Sequence, residues 1–393
     1  MFESFAAEEE LLLCCARTHL EPHTVARVHA LLEKDLDWNR LVSLAREHLT
    51  VQLLYWHLMK TAPNAVPAEI IEELRADFHR NLQASLFLTG ELRRLLRLFD
   101  MNGIPVIPLK GPVLAQQIYK NVALRAFKDL DILIRKQDFV RAKEVLAGMG
   151  YVSPRPWGVR EELHLRSGEY EFVNSAYRRF FIDVHYELAH GTIFRFPGVV
   201  ELLENASVAS VLGEKARTLS SEDLLLYSCV HLAKHAGKRL LWCCDIAEII
   251  RTFRDLDWDL AIEKAQKANS KRILFSSLLL ASDLLEAPLP QRILDIAKHD
   301  ACAGVLADHV ESQLFKETRG SAGVENIYYL FMARERIRDK IRVLLSVALM
   351  PTPSDYDALP LPAPLIGLYY IIRAVRLALL SRSWGPQLIK SIL

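Results

Sequence analysis

Apolar residues recur every three or four positions along the first hundred residues, which predicts helices. Three short helices are expected first: Pro22–Lys34, Leu36–His48 and Val51–Lys60. Prolines end this series. One apolar stripe then runs from Ala68 to Asp100 and predicts a single long helix, with Gly90 as the point where it could bend. Asn102-Gly103 ends this helix and leads into a strand.

The pattern next changes to strand, turn, helix and strand. The apolar run Ile104–Leu109 leads into Lys110-Gly111, and after a helix-length segment a second apolar run carries Asp129 and Asp131. Because side chains alternate across a strand, both aspartates point to one face and their apolar neighbours to the other. Two carboxylates this close repel each other, and both stay ionised more readily with a divalent cation between them. The stretch therefore predicts a metal site for handling phosphates.

Shorter elements continue this small α/β unit to about residue 218. The pattern predicts a helix over Asp138–Ala147, a short strand Tyr151–Val152, a proline-containing loop Ser153–Gly158, and strands over His164–Val173 and Arg179–Leu188. The last strand places Asp183 and His185 on one face, since they are two residues apart.

From residue 219 the pattern is helical again. Ser220 to Asp223 fits a capping box, and the helix it opens carries His231 and His235. Further helices are expected over Arg239–Phe253, Leu260–Ala268, Arg272–Leu285, Pro290–His299, Asp308–Phe315 and Glu325–Val347, with a last one from about Leu365. The predicted fold class is thus α+β and mostly helical. We expect an N-terminal helical region (residues 1–100), a small mixed-sheet core (101–218) and a C-terminal helical domain (219–393).

Composition narrows the class of protein. The 393 residues are 51% hydrophobic, which is ample for packed cores, and the net charge of +1 offers no general attraction to nucleic acid. Six cysteines without Cys-x-x-Cys spacing predict buried thiols in a reducing cytoplasm. Three glutamates precede the first apolar run, so no signal peptide is expected, and no run reaches the ~18 apolar residues of a membrane span.

The C-terminal stretch is basic, with four Lys and Arg and no acidic residue from Ala358 to Leu393. Its apolar run Pro364–Leu380 is interrupted by Arg373 and Arg376. We favour a core helix whose arginines reach to solvent. The alternative is an interfacial helix that contacts a membrane surface or a partner.

Several motifs occur together in this order. They are Lys110-Gly111-x-x-Leu114, Arg125, Asp129-x-Asp131-x-Leu133, Ile182-Asp183-Val184-His185, His231-x-x-x-His235 with Asp245, and Met350-Pro351-Thr352-Pro353 with Asp355. The combination resembles the uncharacterised nucleotidyltransferase family, within the polymerase-beta-like nucleotidyltransferase superfamily. Superfamily members usually carry Gly-Ser with Asp-x-Asp closer behind it, whereas here Pro112 follows Gly111.

The resemblance implies a transferase that moves a nucleoside monophosphate from an NTP, expected to be ATP, to an acceptor hydroxyl on a small molecule, peptide or protein. Asp129, Asp131 and Asp183 would be its catalytic carboxylates and would hold one or two Mg²⁺ ions. The alternative for the first two is a solvent-facing pair on an edge strand. For Asp183 it is an ion pair with Arg178 or Arg179.

Two basic positions are expected at the phosphates. Lys110 and Gly111 would place an ammonium group and an unobstructed backbone N–H before a helix N-terminus, the alternative being an ordinary strand-to-helix turn with an exposed lysine. Arg125 would clamp the triphosphate through its planar fork, the alternative being a surface arginine.

Histidines and one lysine complete the expected site. His185 would orient the acceptor, and His231, Lys234 and His235 would line the nucleotide cleft. Asp245 would pair with one of those bases, and a purely structural function for the group is the alternative. Zinc binding by the two helix histidines would need further ligands, which no neighbouring motif supplies.

Two other functions compete with the enzyme. A catalytically silent member would bind nucleotide or a protein partner, as in a toxin–antitoxin pair, and the absent Gly-Ser favours it while the intact aspartates oppose it. Nucleic-acid processing shares the fold, but near-zero net charge and the absence of an aromatic-basic stripe oppose it.

Overall fold

The structure is a computed structural model that describes residues 5–153, 168–178, 180–188, 194–211, 213–316 and 322–377. Most of the predicted loop Ser153–Gly158, the start of the predicted strand at His164, Arg179 and the C-terminal stretch after residue 377 lie outside these ranges.

The N-terminal region is helical, as the apolar spacing predicted. Its elements are α1 (Ala7–Cys15), α2 (Pro22–Leu32), α3 (Trp38–Glu47), α4 (Val51–Thr61), a 3₁₀ turn (Pro63–Ala65) and α5 (Ala68–Met101). The Asp37 side chain accepts a hydrogen bond from the Arg40 N–H and so caps α3. The long helix is confirmed, with Leu74, Leu92 and Phe99 buried along its stripe.

A five-stranded mixed sheet follows α5. Its elements are β1 (Val106–Pro108), α6 (Pro112–Ile118), β2 (Asp129–Ile134), a 3₁₀ turn (Lys136–Asp138), α7 (Phe139–Gly148), β3 (Tyr151–Val152), β4 (Glu169–Asn174) and β5 (Phe181–His185). The strand order is β1-β2-β5-β4-β3, with β2 and β5 parallel and the other neighbours antiparallel. The predicted order of strand, turn, helix and strand is confirmed.

The two faces of this sheet differ. On one face Ile132, Ile182 and Phe172 are buried in a core shared with α5 and α7. The alternation that buries these residues turns Asp129 and Asp131 to the opposite face. The sheet therefore presents its carboxylates toward the C-terminal helices.

A helix α8 (Val199–Glu204) and a hairpin of β6 (Ser207–Val211) and β7 (Glu214–Thr218) come next. The hairpin was not predicted, because its strands are five residues long and rich in small and charged residues rather than apolar ones.

The C-terminal region is helical. Its elements are α9 (Ser221–Lys234), α10 (Leu240–Thr252), α11 (Trp258–Lys267), α12 (Lys271–Leu285), α13 (Gln291–His299), α14 (Ala301–Gln313), α15 (Ala322–Met332), α16 (Ile337–Leu349), α17 (Pro353–Ala358), a 3₁₀ turn (Ala363–Leu368) and α18 (369–377). Ser220 caps α9 as predicted, since its side chain accepts from the Asp223 N–H.

The single helix predicted over Glu325–Val347 is wrong. Two helices, α15 and α16, occur instead, with a break at residues 333–336. At this break Arg334 is buried, donates from Nη1 to the Asn269 carbonyl at 2.6 Å, and lies 4.5 Å above the Phe194 ring. Burying a guanidinium between these partners requires the chain to leave the helical path.

The N-terminal and C-terminal helices share one large apolar core, and the sheet with α5 and α7 forms a second. The division at residues 100 and 218 stays a prediction. All six cysteines are free thiols, five of them buried.

Over its described part, the C-terminal helix α18 buries Tyr369 in a small cluster with Tyr356, Leu361, Ile366 and Ile372. Ile371 and Val375 are exposed in α18, and Arg376 pairs with the buried Asp355 at 2.5 Å. Over the described ranges, no helix has the length and apolar character that crossing a membrane requires.

Candidate active site

Three aspartates meet on the polar face of the sheet. Asp131 of β2 and Asp183 of β5 are register partners on adjacent parallel strands, and Asp129 lies two residues before Asp131 on the same face. All three line one cavity of about 460 Å³ between the sheet and helices α9 and α10. The structure therefore brings together the three carboxylates that the sequence predicted as one site.

The acidic face extends to the next strand. Glu171 of β4 is the register partner of Asp183, and Glu169 is that of His185. The Glu169 carboxylate lies 3.7 Å from His185 Nδ1 and also lines the cavity. Five carboxylates thus occupy one face of three neighbouring strands.

This crowding controls the protonation of Asp183. Burial, together with the charges of Asp131, Asp129, Glu169 and Glu171, raises the pKa of Asp183 to about 8. Burial and the neighbouring Asp131 also raise the pKa of Asp129. Without an added cation, the site holds more carboxylates than it can keep ionised.

Asp131 is ionised because two groups stabilise its charge. Lys110 Nζ and His185 Nε2 each lie 3.1 Å from Asp131 Oδ1. Although burial opposes ionisation, these two partners lower the pKa of Asp131 well below its ordinary value. Burial likewise disfavours the Lys110 ammonium, but the charge of Asp131 raises the lysine's pKa overall. Asp131 Oδ2 is buried and has no hydrogen-bond partner in the part of the chain that the structure describes.

The donor set fits a hard divalent cation in its chemistry. Carboxylate oxygens are the ligands that Mg²⁺ prefers. Buried Oδ2 of Asp131 lacks a partner, and the raised pKa values of Asp129 and Asp183 mark an excess of negative charge. Within the ranges described, however, no three His, Cys, Asp or Glu side chains already surround a common metal position. The Lys110 ammonium lies on the Oδ1 atom of Asp131.

Gly111 shapes the turn before α6. Its φ of +65° and ψ of −130° suit glycine, and a Cβ there would lie 3.4 Å from the Asp129 carbonyl oxygen. The glycine thus lets the Lys110 turn lie directly against β2. Helix α6 has only seven residues and begins with Pro112, which lacks an N–H, so its N-terminus offers few donors to a phosphate.

Arg125 is buried instead of lying at the surface. Its Nε and Nη2 atoms each donate to Asp245 at 2.8 Å, and the Tyr119 hydroxyl donates to the same carboxylate at 2.9 Å. Asp245 therefore pairs with Arg125 and Tyr119, and not with the helix histidines. Arg125 also lines the cavity, so its predicted contact with a triphosphate remains a prediction.

Helices α9 and α10 form the opposite wall of the cavity. His231 and His235 lie one turn apart with ring centroids 4.9 Å from each other. Trp242 stacks on His235 at 4.6 Å and meets His231 edge-on at 5.2 Å. Burial and the nearby cations lower the pKa of His235 to about 4, and burial lowers that of His231 well below its ordinary value. Both imidazoles are neutral at physiological pH.

The same wall is positively charged. Lys234 lines the cavity and has no ion-pair partner among the residues that the structure describes. Arg239 also lines it and lies 5.5 Å from the Trp242 ring centroid. A polyanion would meet basic groups on this wall and carboxylates on the other.

Sequence reasoning missed several residues that line the cavity. They are Leu49, Asn81, Lys128, Glu169, Tyr227, Arg239 and Trp242. Only Glu169 had a signal in the sequence, because it alternates with Glu171 on a predicted strand. Of the others, Asn81, Tyr227 and Trp242 lie on helices, and the rest lie in turns beside helices or strands. The local pattern does not specify how either group packs.

Comparisons with curated proteins and with solved structures give no match. The family profile of the uncharacterised nucleotidyltransferases matches residues 34–286, well over half of the sequence, and this range includes both walls of the cavity. The protein belongs to the uncharacterised nucleotidyltransferase family.

Proposed function

We propose that the protein is a Mg²⁺-dependent nucleotidyltransferase that transfers a nucleoside monophosphate from an NTP to an acceptor hydroxyl. The observation that carries this proposal is the register pairing of Asp131 with Asp183 on adjacent parallel strands, with Asp129 on the same face. Together with the basic wall opposite, these carboxylates suit a metal-bound polyphosphate.

The carboxylates and the basic groups of the cavity would contact different parts of the substrate. Asp129, Asp131 and Asp183 would hold one or two Mg²⁺ ions. A bound Mg²⁺ would supply charge neutralisation at the phosphates. Lys234 and the Lys110 ammonium would contact phosphate oxygens that are not bound by the metal. Lys110 can do so because it already lies at the Asp131 carboxylate.

The protein's own groups account for the proton transfer. The acceptor oxygen forms a bond to the α-phosphorus, the bond to the β-phosphate oxygen breaks, and pyrophosphate leaves. Asp183 would either complete the metal site or take the proton of the acceptor hydroxyl, since burial and the neighbouring carboxylates raise its pKa to about 8 and make its ionised form a stronger base. His185 donates to Asp131 and so holds that carboxylate in position.

The test combines binding with turnover. Purified protein is titrated with a non-hydrolysable α,β-methylene analogue of each NTP, with and without Mg²⁺, and pyrophosphate release is followed with the natural NTPs. We expect Mg²⁺-dependent binding that is lost in an Asp129→Asn, Asp131→Asn variant. Asp35→Asn, at an exposed position in the N-terminal region, is the matched control. Equal affinity in the wild type and the double variant would contradict the proposal.

A catalytically silent nucleotide-binding protein, acting on a partner as in a toxin–antitoxin pair, is the second candidate. Two observations favour it: Pro112 follows Gly111, and Lys110 occupies the Oδ1 atom of Asp131. This function predicts nucleotide binding that is independent of Mg²⁺, with no pyrophosphate release for any NTP.

A further inference from the structure

The cavity has an aromatic end that the transfer chemistry does not use. Trp242 lies nearly parallel to His235, with an interplanar angle of 28°, and the guanidinium of Arg239 lies 5.5 Å from the Trp242 ring centroid. All three line the cavity. A flat ring system with an imidazole and a guanidinium beside it is a surface on which nucleobases stack.

The N-terminal region closes this end of the cavity. Nδ1 of buried His48 accepts a hydrogen bond from the Leu240 N–H at 3.1 Å, and the His48 carbonyl accepts from the Leu241 N–H at 3.3 Å. Burial lowers the pKa of His48 to about 4, so its ring is neutral and Nδ1 can accept. These bonds fix the neighbouring Leu49, with a φ of +58°, beside the start of α10, where it lines the cavity.

A polar group of the N-terminal region also lines the cavity. Asn81 of α5 has a buried Nδ2 atom that finds no hydrogen-bond acceptor among the described residues. A buried amide N–H that lacks an acceptor costs free energy that a ligand acceptor would recover. Asparagine is also the side chain that pairs in bidentate fashion with the N6 and N7 edge of adenine.

We propose that Trp242 is the stacking platform for the base of the nucleotide and that Asn81 reads the edge of that base, which selects adenine. The inference rests on the proposed nucleotidyltransferase function, because it assumes that an NTP occupies the cavity. It places the triphosphate at the carboxylates and Lys234, and the base between α10 and the N-terminal helices. The N-terminal region is then part of the nucleotide site.

The experiment compares two ligands that share the phosphates but differ in the base. Binding of Mg²⁺ with α,β-methylene ATP and of Mg²⁺ with inorganic tripolyphosphate is measured for the wild type, Trp242→Leu and Trp242→Phe. We expect Trp242→Leu to weaken nucleotide binding about 5- to 100-fold, in line with the contribution of one stacked base, and to leave tripolyphosphate binding unchanged. Trp242→Phe should recover most of the loss. Trp56→Leu, which alters a partly exposed tryptophan outside the cavity, is the control.

Asn81 is tested by selectivity. The wild type should bind the ATP analogue at least about 5-fold more tightly than the CTP and UTP analogues, and Asn81→Leu should abolish this preference without changing tripolyphosphate binding. A wild type without preference, or a preference that survives Asn81→Leu, overturns the assignment of Asn81. Unchanged nucleotide affinity in Trp242→Leu overturns the assignment of Trp242 as the stacking platform. A wild type that binds neither nucleotide nor tripolyphosphate overturns the proposed function as well.

Discussion

The two walls of the cavity are built in opposite ways. The strand wall carries Asp129, Asp131 and Asp183, and burial together with the neighbouring carboxylates raises the pKa of Asp183 to about 8. The helix wall carries Lys234 and Arg239 beside neutral, stacked rings. One wall is stabilised by added cations and the other by added anions. A divalent metal ion with a triphosphate supplies both, which is why the pair of walls favours a metal-bound nucleotide over either ligand alone.

The walls also differ in rigidity. The strand wall is fixed by backbone pairing, because β2 and β5 hold Asp131 opposite Asp183. The helix wall is tied to the sheet region by a side-chain anchor, the buried pair of Arg125 and Asp245 that links the segment before β2 to α10. The proposed catalytic groups thus lie on strands that backbone pairing fixes, whereas the proposed nucleotide-contacting groups depend on the docking of α10.

Removing Asp131 should have the largest effect. Asp131→Ala deletes a proposed metal ligand and also leaves the Lys110 ammonium buried without its 3.1 Å partner. We expect pyrophosphate release to fall more than about 100-fold, and the free energy of unfolding to fall by about 3–5 kcal/mol. Kinetic assay and urea unfolding measure the two effects. The double variant Asp131→Ala, Lys110→Met should recover stability but not activity, and recovered activity would contradict the account.

Asp183→Asn should separate activity from stability. The raised pKa means that folded protein holds a proton on Asp183 that the unfolded chain loses near pH 4, so wild-type stability falls as pH rises from about 4 to about 8. The variant lacks this loss. Its free energy of unfolding should exceed that of the wild type by about 1–3 kcal/mol above pH 8, and the difference should vanish near pH 4. Its transfer activity should be lost. Thermal unfolding across this pH range tests the prediction, and a variant less stable than the wild type at pH 8 would oppose it.

The ion pair of Arg125 and Asp245, which links the two walls, should tolerate replacement of both residues but not of Asp245 alone. Asp245→Asn leaves Arg125 buried without its carboxylate, and we expect about 3–5 kcal/mol of destabilisation. The double variant Arg125→Met, Asp245→Leu should be close to the wild type in stability. The nucleotide affinity of this double variant then decides the function of Arg125. Unchanged affinity would mean that Arg125 only anchors α10, whereas a large loss of affinity would mean that it contacts the triphosphate.

The smallest effect is expected for the charge on the helix wall. Lys234→Gln should weaken binding of a Mg²⁺-nucleotide analogue by about 3- to 10-fold, because one partly exposed cation contributes about 1 kcal/mol to such a contact. The loss should shrink as salt rises. Lys60→Gln, at an exposed position on α4, is the control, and an equal effect from both variants would remove Lys234 from the site.

The sequence predicted the strand wall and three residues of the helix wall, His231, Lys234 and His235, but not the contacts that form the helix wall. Period-two alternation on β2 and β5 was enough to place Asp129 with Asp131 and Asp183 with His185, because strand geometry fixes which side chains share a face. The family resemblance implied that a neighbouring strand supplies Asp183, and β2 and β5 do pair in parallel.

The helix wall depends on contacts between residues far apart in the chain. Asp245 lies 120 residues from Arg125, and Leu240 lies 192 residues from His48, so no local pattern could reveal either hydrogen bond. Trp242 was not assigned either, because a helical pattern does not show that its ring stacks on His235 at the end of the preceding helix. Tertiary packing, which local periodicity does not encode, determines this wall.

The most direct test is the position of a metal ion in a crystal of the protein with Mn²⁺ and α,β-methylene ATP, read from the anomalous scattering of manganese. The account predicts manganese at the carboxylates of Asp129, Asp131 and Asp183, with Lys110 moved away from Asp131 Oδ1. An ordered nucleotide in the cavity with no metal on these three aspartates would contradict it.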